Sequence, residues 1–107
     1  MSHEHTADLL RAALMDRTGI TEKKMFGGVC FLLNGNMLCG TGEGRFMFRV
    51  GKENEAEAMA RPGAKPMDFT GRKMGGFVYV DVDAAQDTGL KSWIDLSARF
   101  VGSLPPK

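Results

Sequence analysis

Two cysteines are the first residues whose spacing suggests chemistry. Asn34-Gly35 separates two apolar runs, Gly28 to Leu33 and Asn36 to Gly40, and Asn-Gly favours a type I′ turn because both residues tolerate positive φ. Counting outward from this turn sets Cys30 opposite Cys39, with Cα atoms about 4.5 Å apart, at the short end of disulfide geometry. The two are a candidate redox pair. The alternative is that apolar neighbours keep both thiols as inert packing residues.

Basic side chains form the second group of candidates, because they bind phosphates and carboxylates. In the alternating segment Arg45 to Val50, Arg45 and Arg49 fall on one face and apolar side chains fall on the other. The candidate contacts for an anion or a nucleic acid are Lys23, Lys24, Arg45, Arg49, Arg72 and Lys73. Arginine makes bidentate contacts with such groups. The alternative is an ordinary solvated face, since the formal net charge is only +1.

The sequence contains no set of residues with the types and spacing that catalysis or metal binding requires. Both histidines, His3 and His5, stand near the N-terminus, so no Ser/His/Asp set can be assembled and neither cysteine has a histidine base. Two histidines at i and i+2, with no third, make a poor metal site. The glycine-rich segment 40–44 lacks the Gly-Lys-Ser/Thr ending of a phosphate loop. We therefore expect a non-enzymatic protein that binds no metal and no cofactor.

Hydrophobic periodicity predicts the elements that position these residues. Helices are expected at Ser2 to Arg17, Lys52 to Ala60 and Leu90 to Val101. Strands are expected at Gly28 to Leu33, Asn36 to Gly40, Arg45 to Val50, Met67 to Thr70 and Gly76 to Val82, with a short run Glu22 to Met25 before them. The order is α-β-β-β-α-β-β-α. Because the strands group into hairpins, we expect an α+β fold with helices and an antiparallel sheet in two layers.

Composition indicates one domain. A chain of 107 residues with 43% hydrophobic content can bury one core, so residues 1–107 are expected to form a single domain. No apolar run approaches the roughly 18 residues of a membrane-spanning helix, and the N-terminus lacks the features of a signal peptide. We therefore expect a cytoplasmic protein that makes no contact with membranes. A reducing compartment would keep both cysteines as thiols.

Several segments, taken in this order, resemble the TfoX/Sxy N-terminal domain family. They are the signature turn Met25, Phe26, Gly27 and Gly28 with Lys24 before it, the turn region Gly35-Asn36-Met37, the strand Arg45 to Val50, and Met67-Asp68-Phe69 through Val80. The resemblance covers nearly the whole chain and implies a single-domain member. It also implies an antiparallel α+β fold similar to secretion-chaperone-like and YgaC-like domains. Gly27-Gly28 is open to two interpretations, a bend between strands or a site of close approach by a ligand or partner.

The resemblance also implies a kind of function. The family's namesakes regulate natural competence, acting with a cyclic-AMP receptor protein at promoters, so it implies a protein partner connected with transcription. Our leading hypothesis is a non-enzymatic regulatory or protein-interaction module that works through sheet edges or an exposed apolar patch. Its eight methionines suit an adaptable surface, and a homodimer would cover sheet edges. The alternatives are a nucleic-acid-binding accessory protein that uses the Arg45/Arg49 face, and a small-molecule-binding protein.

Overall fold

A six-stranded antiparallel sheet is the framework of the protein, which we describe from a computed structural model. The structure describes residues 3–25, 28–42, 45–69 and 72–106. Its strands are β1 (Ile20–Met25), β2 (Gly28–Leu33), β3 (Asn36–Gly42), β4 (Arg45–Arg49), β5 (Ala64–Phe69) and β6 (Arg72–Asp81). They lie in the order β1-β2-β3-β4-β6-β5, so β6 is inserted between β4 and β5.

The helices pack on one face of this sheet. They are α1 (His3–Ala13), α2 (Glu55–Met59), which follows a 3-10 turn at Lys52–Asn54, α3 (Val82–Thr88) and α4 (Leu90–Val101). Buried side chains of all four helices belong to one hydrophobic cluster with the sheet. The α+β fold with an antiparallel sheet is therefore confirmed.

The predicted element order is confirmed in outline, with two additions. β1 is a full strand, and α3 is a separate short helix. The strand pattern of Val78 and Val80 continues to Val82 in the sequence, but the strand ends at Asp81 and Val82 begins α3. Apolar alternation alone could not locate that boundary, because Val82 is also partly buried against the core from its place in the helix.

The core forms where β4 and β6 meet α4. Phe46, Phe48 and Val50 are completely buried, as the alternation in β4 predicts. Trp93 of α4 lies on this surface, and its ring stacks on Phe48 with centroids 5.2 Å apart. Offset aromatic pairs of this kind contribute about 0.5–1.5 kcal/mol beyond the burial of their area. This packing fixes β4 in the middle of the molecule and determines which of its side chains face away from the helices.

The hairpin between β2 and β3 has the predicted turn and a different register beyond it. Asn34 and Gly35 have φ values of 53° and 85°, as a type I′ turn requires. Leu32 pairs with Met37 as expected, but a β-bulge follows, and the next pairs are Phe31 with Cys39 and Cys30 with Gly40. The predicted pairing of Cys30 with Cys39 is therefore wrong.

The physical reason for the bulge lies in the core. Leu38 and Cys39 are consecutive residues, yet both are completely buried in the helix-side cluster. Regular strand alternation would send one of them to the opposite face. A bulge accommodates an extra residue in one strand and so lets both side chains enter the core.

Candidate functional site

The face of the sheet opposite the helices carries an apolar strip. We call this side the open face; among the described helices, α4 reaches its margin through Phe100, whose ring centroid lies 5.5 Å from the Arg49 guanidinium carbon. The apolar strip comprises Cys30 and Met47, both buried, with Met37, Phe77 and Tyr79 packed against them and half-buried. Strand pairing aligns Cys30, Gly40, Met47 and Tyr79 in one row across four neighbouring strands. The strip therefore crosses the sheet between β2 and β6.

Two arginines of β4 flank the strip, one on each side of Met47. The guanidinium carbon of Arg45 lies 3.7 Å from the centroid of the Tyr79 ring. That of Arg49 lies 5.7 Å from the centroid of Phe77 and 5.5 Å from that of Phe100. The ring quadrupole attracts a guanidinium that lies over its face, and this contact does not use the N–H donors of the guanidinium. Both arginines are thus positioned on the face while keeping hydrogen-bond donors available.

The cations of the helix layer and the cations of the sheet differ in their ion pairing. Cations in or beside α1, α2 and α4 have carboxylate partners, whereas Lys52 of the 3-10 turn has none among the described residues. The pairs are Arg11 with Asp8 and with Glu22 at 2.7 Å, Arg17 with Asp95, Arg61 with Glu57 at 3.8 Å, Lys91 with Asp16 at 3.2 Å and Arg99 with Glu57 at 3.4 Å. Among the residues that the structure describes, the strand cations Lys23, Lys24, Arg45, Arg49 and Lys65 have no carboxylate within 4.0 Å.

Four of these five unpaired cations belong to the open face. Lys23 pairs with Cys30, and Lys65 pairs with Tyr79, so both extend the row through the strip to the edges of the sheet. Lys24 pairs with Val29, which packs on the helix-side core, and therefore lies on the other face beside α1. Asp81 lies opposite Arg45 and adds one negative charge to this face, so four cations and one carboxylate still leave it more basic than the near-neutral total charge suggests.

The predicted set of six basic contacts is only partly brought together. Arg45 and Arg49 share the open face but lie at the two ends of β4, about 13 Å apart along the strand, and Lys23 is three strands from β4, which corresponds to about 14 Å. Arg72 and Lys73 begin β6 and pair with Phe69 and Asp68 at the far end of the β5–β6 hairpin. Their side chains lie outside the described part of the structure.

The two cysteines lie on opposite faces of the sheet. Cys30 belongs to the apolar strip, and Cys39 belongs to the helix-side core. Burial raises the pKa of the Cys30 thiol. Burial also raises the pKa of Cys39, and the neighbouring Cys30 adds to that shift. A thiol that stays protonated is a poor nucleophile. In this fold both cysteines are packing residues, and the sheet separates them.

The signature turn connects β1 to β2. Met25 and Gly28 form the last pair of that hairpin, and Phe26 and Gly27 lie outside the described residues. A Cβ added to Gly28 would stand 2.2 Å from the backbone oxygen of Thr41. The Thr41 hydroxyl in turn accepts a hydrogen bond of 3.1 Å from the Val29 N–H. Gly28 is therefore required for close contact between two strands, which favours the interpretation as a structural bend.

The sequence analysis missed the aromatic partners of the arginines. Alternation in β6 puts Phe77 and Tyr79 on the face opposite its valines, but β4 and β6 are not consecutive, so spacing could not predict the pairing of Arg45 with Asp81 or of Arg49 with Phe77. Alternation in both strands was the available signal. Within the described ranges, no cluster of three or more His, Cys, Asp or Glu residues could hold a metal ion. No helix described here is long and apolar enough to cross a membrane.

Comparison with known proteins identifies the family. The family model described as the TfoX N-terminal domain matches residues 12–101, which is most of the chain and includes every strand of the sheet. No curated protein and no solved structure matches the chain. The matched segment contains both arginines of β4 and the whole apolar strip, so the open face lies within the part that defines the match. The chain belongs to the TfoX N-terminal domain family.

Proposed function

We propose that this protein is a non-enzymatic regulatory module whose open face binds an acidic and apolar segment of a partner protein. The observation that supports this proposal best is the placement of Arg45 and Arg49. Both are unpaired by carboxylates in the described structure, and both flank the apolar strip. An acidic side chain would receive charge-assisted hydrogen bonds from either guanidinium. An apolar side chain beside it would pack on the partly exposed Met37, Phe77 and Tyr79.

The chemistry of the strip favours a protein over a nucleic acid. Its partly exposed members are the thioether of Met37 and the rings of Phe77 and Tyr79, which lie over the buried Cys30 and Met47. Flexible thioethers adapt to apolar side chains of differing shape. Proteins that bind single strands instead offer aromatic faces on which bases stack. Here the Tyr79 ring is already covered by Arg45 at 3.7 Å.

Family membership supports a regulatory role. The regulators that give the family its name act through a protein partner at promoters, and an acidic, apolar segment on such a partner is the chemistry that this face would recognise. We propose a cytoplasmic location as part of the same function. A second copy of the chain and a nucleic acid are the other occupants that an experiment must separate from a partner protein.

Affinity capture with charge-matched variants tests the proposal. The wild-type protein, an Arg45→Glu/Arg49→Glu variant and a Lys91→Glu/Arg99→Glu variant are each used to capture partners from native extract, with and without nuclease. The two variants carry the same change in charge, but the second changes the helix layer. We expect a partner protein that resists nuclease and is lost only with the Arg45/Arg49 variant. Retention by that variant, or capture of nucleic acid alone, would overturn the proposal.

A further inference from the structure

A cleft lies at one end of β4, where the apolar strip ends at Phe77, beside Arg49. It has a volume of about 300 Å³, at the lower end of the range for small-molecule sites. Its walls come from the end of β4, the 3-10 turn, β6 and the last turn of α4, and its lining residues are Arg49, Gly51, Lys52, Glu53, Gly76, Phe77 and Phe100. The residues that meet here are distant in sequence and combine cationic with aromatic side chains.

The charges of the cleft suit a ligand with one negative charge. Arg49 and Lys52 supply two positive charges, and Glu53 supplies one negative charge. In the described structure neither cation has a carboxylate within 4.0 Å. The nearby Glu55 carboxylate is already engaged, because it accepts a hydrogen bond of 2.6 Å from the Gly76 N–H. The lining residues alone carry an excess of one positive charge, and Glu55 beside Gly76 offsets it, so recognition of an anion rests on the two unpaired cations rather than on the net charge.

The walls of the cleft suit a ligand with an apolar body. The Arg49 guanidinium lies between two phenyl rings, 5.7 Å from the centroid of Phe77 and 5.5 Å from that of Phe100. Both phenylalanines are half-buried, so each still presents part of its ring. A planar or branched group that entered the cleft would contact these rings while its charged end met the guanidinium.

The floor of the cleft is rigid before any ligand binds. The Gly76 carbonyl accepts hydrogen bonds from the N–H groups of Val50 and Gly51, at 2.8 and 3.0 Å. An added Cβ at Gly76 would lie 3.2 Å from the backbone of Gly51, so the two segments are already in close contact. Preformed sites avoid the entropy cost of ordering the protein on binding.

We propose that this cleft binds the carboxylate of a small monoanion that carries an aromatic or branched apolar body. Arg49 donates two hydrogen bonds to the carboxylate, Lys52 adds a second positive charge, and the body packs against the exposed parts of the Phe77 and Phe100 rings. The inference goes beyond the proposed function, because it concerns a small ligand at the end of β4 and requires no partner protein on the open face. The same chemistry is offered by a free organic acid and by the C-terminus of a peptide chain.

Three probes that share a phenyl ring test the need for the negative charge and the source of the ligand. The first is 3-phenylpropionate, a free acid with a phenyl ring. The second is N-acetylphenylalanine, which imitates the C-terminus of a peptide. The third is 3-phenylpropionamide, which keeps the ring and loses the charge. Each is titrated into the full chain labelled with ¹⁵N, and backbone amide shifts are followed by NMR. A preference for either acid supports the proposal and identifies the source of the natural ligand.

The expected result is saturable binding with shifts centred on Gly51, Lys52, Gly76 and Phe77. For an acid of this size we expect a dissociation constant on the order of a few millimolar. The amide should bind at least about tenfold more weakly, because it lacks the charge-assisted hydrogen bonds. Arg49→Gln should weaken binding of the acids by about the same factor.

Matched variants keep this test distinct from that of the proposed function. Phe100→Leu and the exposed Lys52→Gln should each weaken binding of the acid without changing capture of a partner by the open face. Arg45→Gln should leave acid binding unchanged, because Arg45 lies at the other end of β4. Equal binding of the amide and the acids, shifts centred outside the cleft, or no saturable shift with either acid would overturn the proposal.

Discussion

Arg45 and Tyr79 show how single residues establish the character of the open face. The guanidinium lies over the ring at 3.7 Å, and no carboxylate of the described structure is within ion-pair distance of it. A cation–π contact at an exposed site contributes about 0.5–1 kcal/mol, so the arginine is oriented without being neutralised. Arg11 illustrates the opposite arrangement, since Asp8 and Glu22 both pair with it.

The Arg11–Glu22 pair predicts a small dependence of stability on pH. The hydrogen bond from Arg11 lowers the pKa of Glu22 below its usual 4.5. A carboxylate whose pKa is lowered in the folded state stabilises the fold above its unfolded-state pKa, and that stabilisation is lost as the pH falls through the folded-state value. Because both side chains are substantially exposed, the effect should be modest.

Chemical denaturation of wild type and Glu22→Gln as a function of pH measures this effect. Wild type should be slightly more stable above about pH 4.5, and the two proteins should converge as the pH falls further. Glu22→Gln leaves Arg11 its contact with Asp8, so the difference isolates Glu22. An equal difference in stability at all pH values would contradict the assignment of the lowered pKa to this pair.

The cysteines give a second prediction at the scale of residues. Both thiols should remain free when the native protein is treated with a mild oxidant, because they lie on opposite faces of the sheet. Alkylation followed by mass spectrometry should label them slowly in the native state and rapidly in denaturant. Cys39 is completely buried, so its native labelling should be the slower of the two. A Cys30–Cys39 disulfide formed without unfolding would contradict the observed register.

At the scale of elements, sequence patterns predicted the local structure of each helix, strand and turn better than they predicted which strands are neighbours in the sheet. The helix Leu90–Val101, the turn at Asn34-Gly35 and the alternation of β4 follow from spacing and turn chemistry, and all three are confirmed. The bulge at Leu38 is not encoded in the turn. It arises because the core accepts two consecutive side chains from β3.

The candidate site depends on contacts between strands that are far apart in the sequence, and residue spacing predicts such contacts least well. Arg45 and Arg49 were identified from their own strand, but their aromatic partners come from β6, which follows β5 in the chain and pairs with β4 in the sheet. Pairing between strands that are distant in sequence is decided by how the whole sheet closes over its helices. Local periodicity in the sequence therefore does not predict which strands pair.

Gly28 allows a prediction about the contact between β2 and β3. Gly28→Ala would place a Cβ 2.2 Å from the backbone oxygen of Thr41, so one strand must move. We expect a loss of about 1–3 kcal/mol in the free energy of unfolding, as for other overpacked sites. Denaturation followed by the fluorescence of Trp93, the one tryptophan of the chain, measures this change.

Gly89→Ala is the matched control for Gly28→Ala. At Gly89 the nearest neighbour of an added Cβ is Ser92 at 4.0 Å, so the substitution adds no clash and its cost arises from the backbone φ of 107°. The comparison therefore separates steric contact from backbone strain. Unchanged stability of Gly28→Ala would show that β2 and β3 are less closely packed than the structure indicates.

For the whole molecule, the helix layer and the open face differ in charge as well as in packing. The helices bury one face of the sheet and pair their cations with carboxylates. The other face keeps a half-buried apolar strip flanked by unpaired arginines. Such a surface gains most from a partner that is both acidic and apolar, because burying the arginines alone would leave their charge uncompensated.

Selection of peptides on this protein, followed by NMR mapping, tests the central claim most directly. A random dodecapeptide library displayed on phage is selected against wild type, and the enriched peptides are synthesised and titrated into the ¹⁵N-labelled chain. We predict enriched sequences that combine Asp or Glu with large apolar residues, and amide shifts concentrated on β4 and β6. We also predict loss of binding in Arg45→Glu/Arg49→Glu but not in Lys91→Glu/Arg99→Glu. Shifts confined to the helices, or equal binding by the Arg45/Arg49 variant, would contradict it.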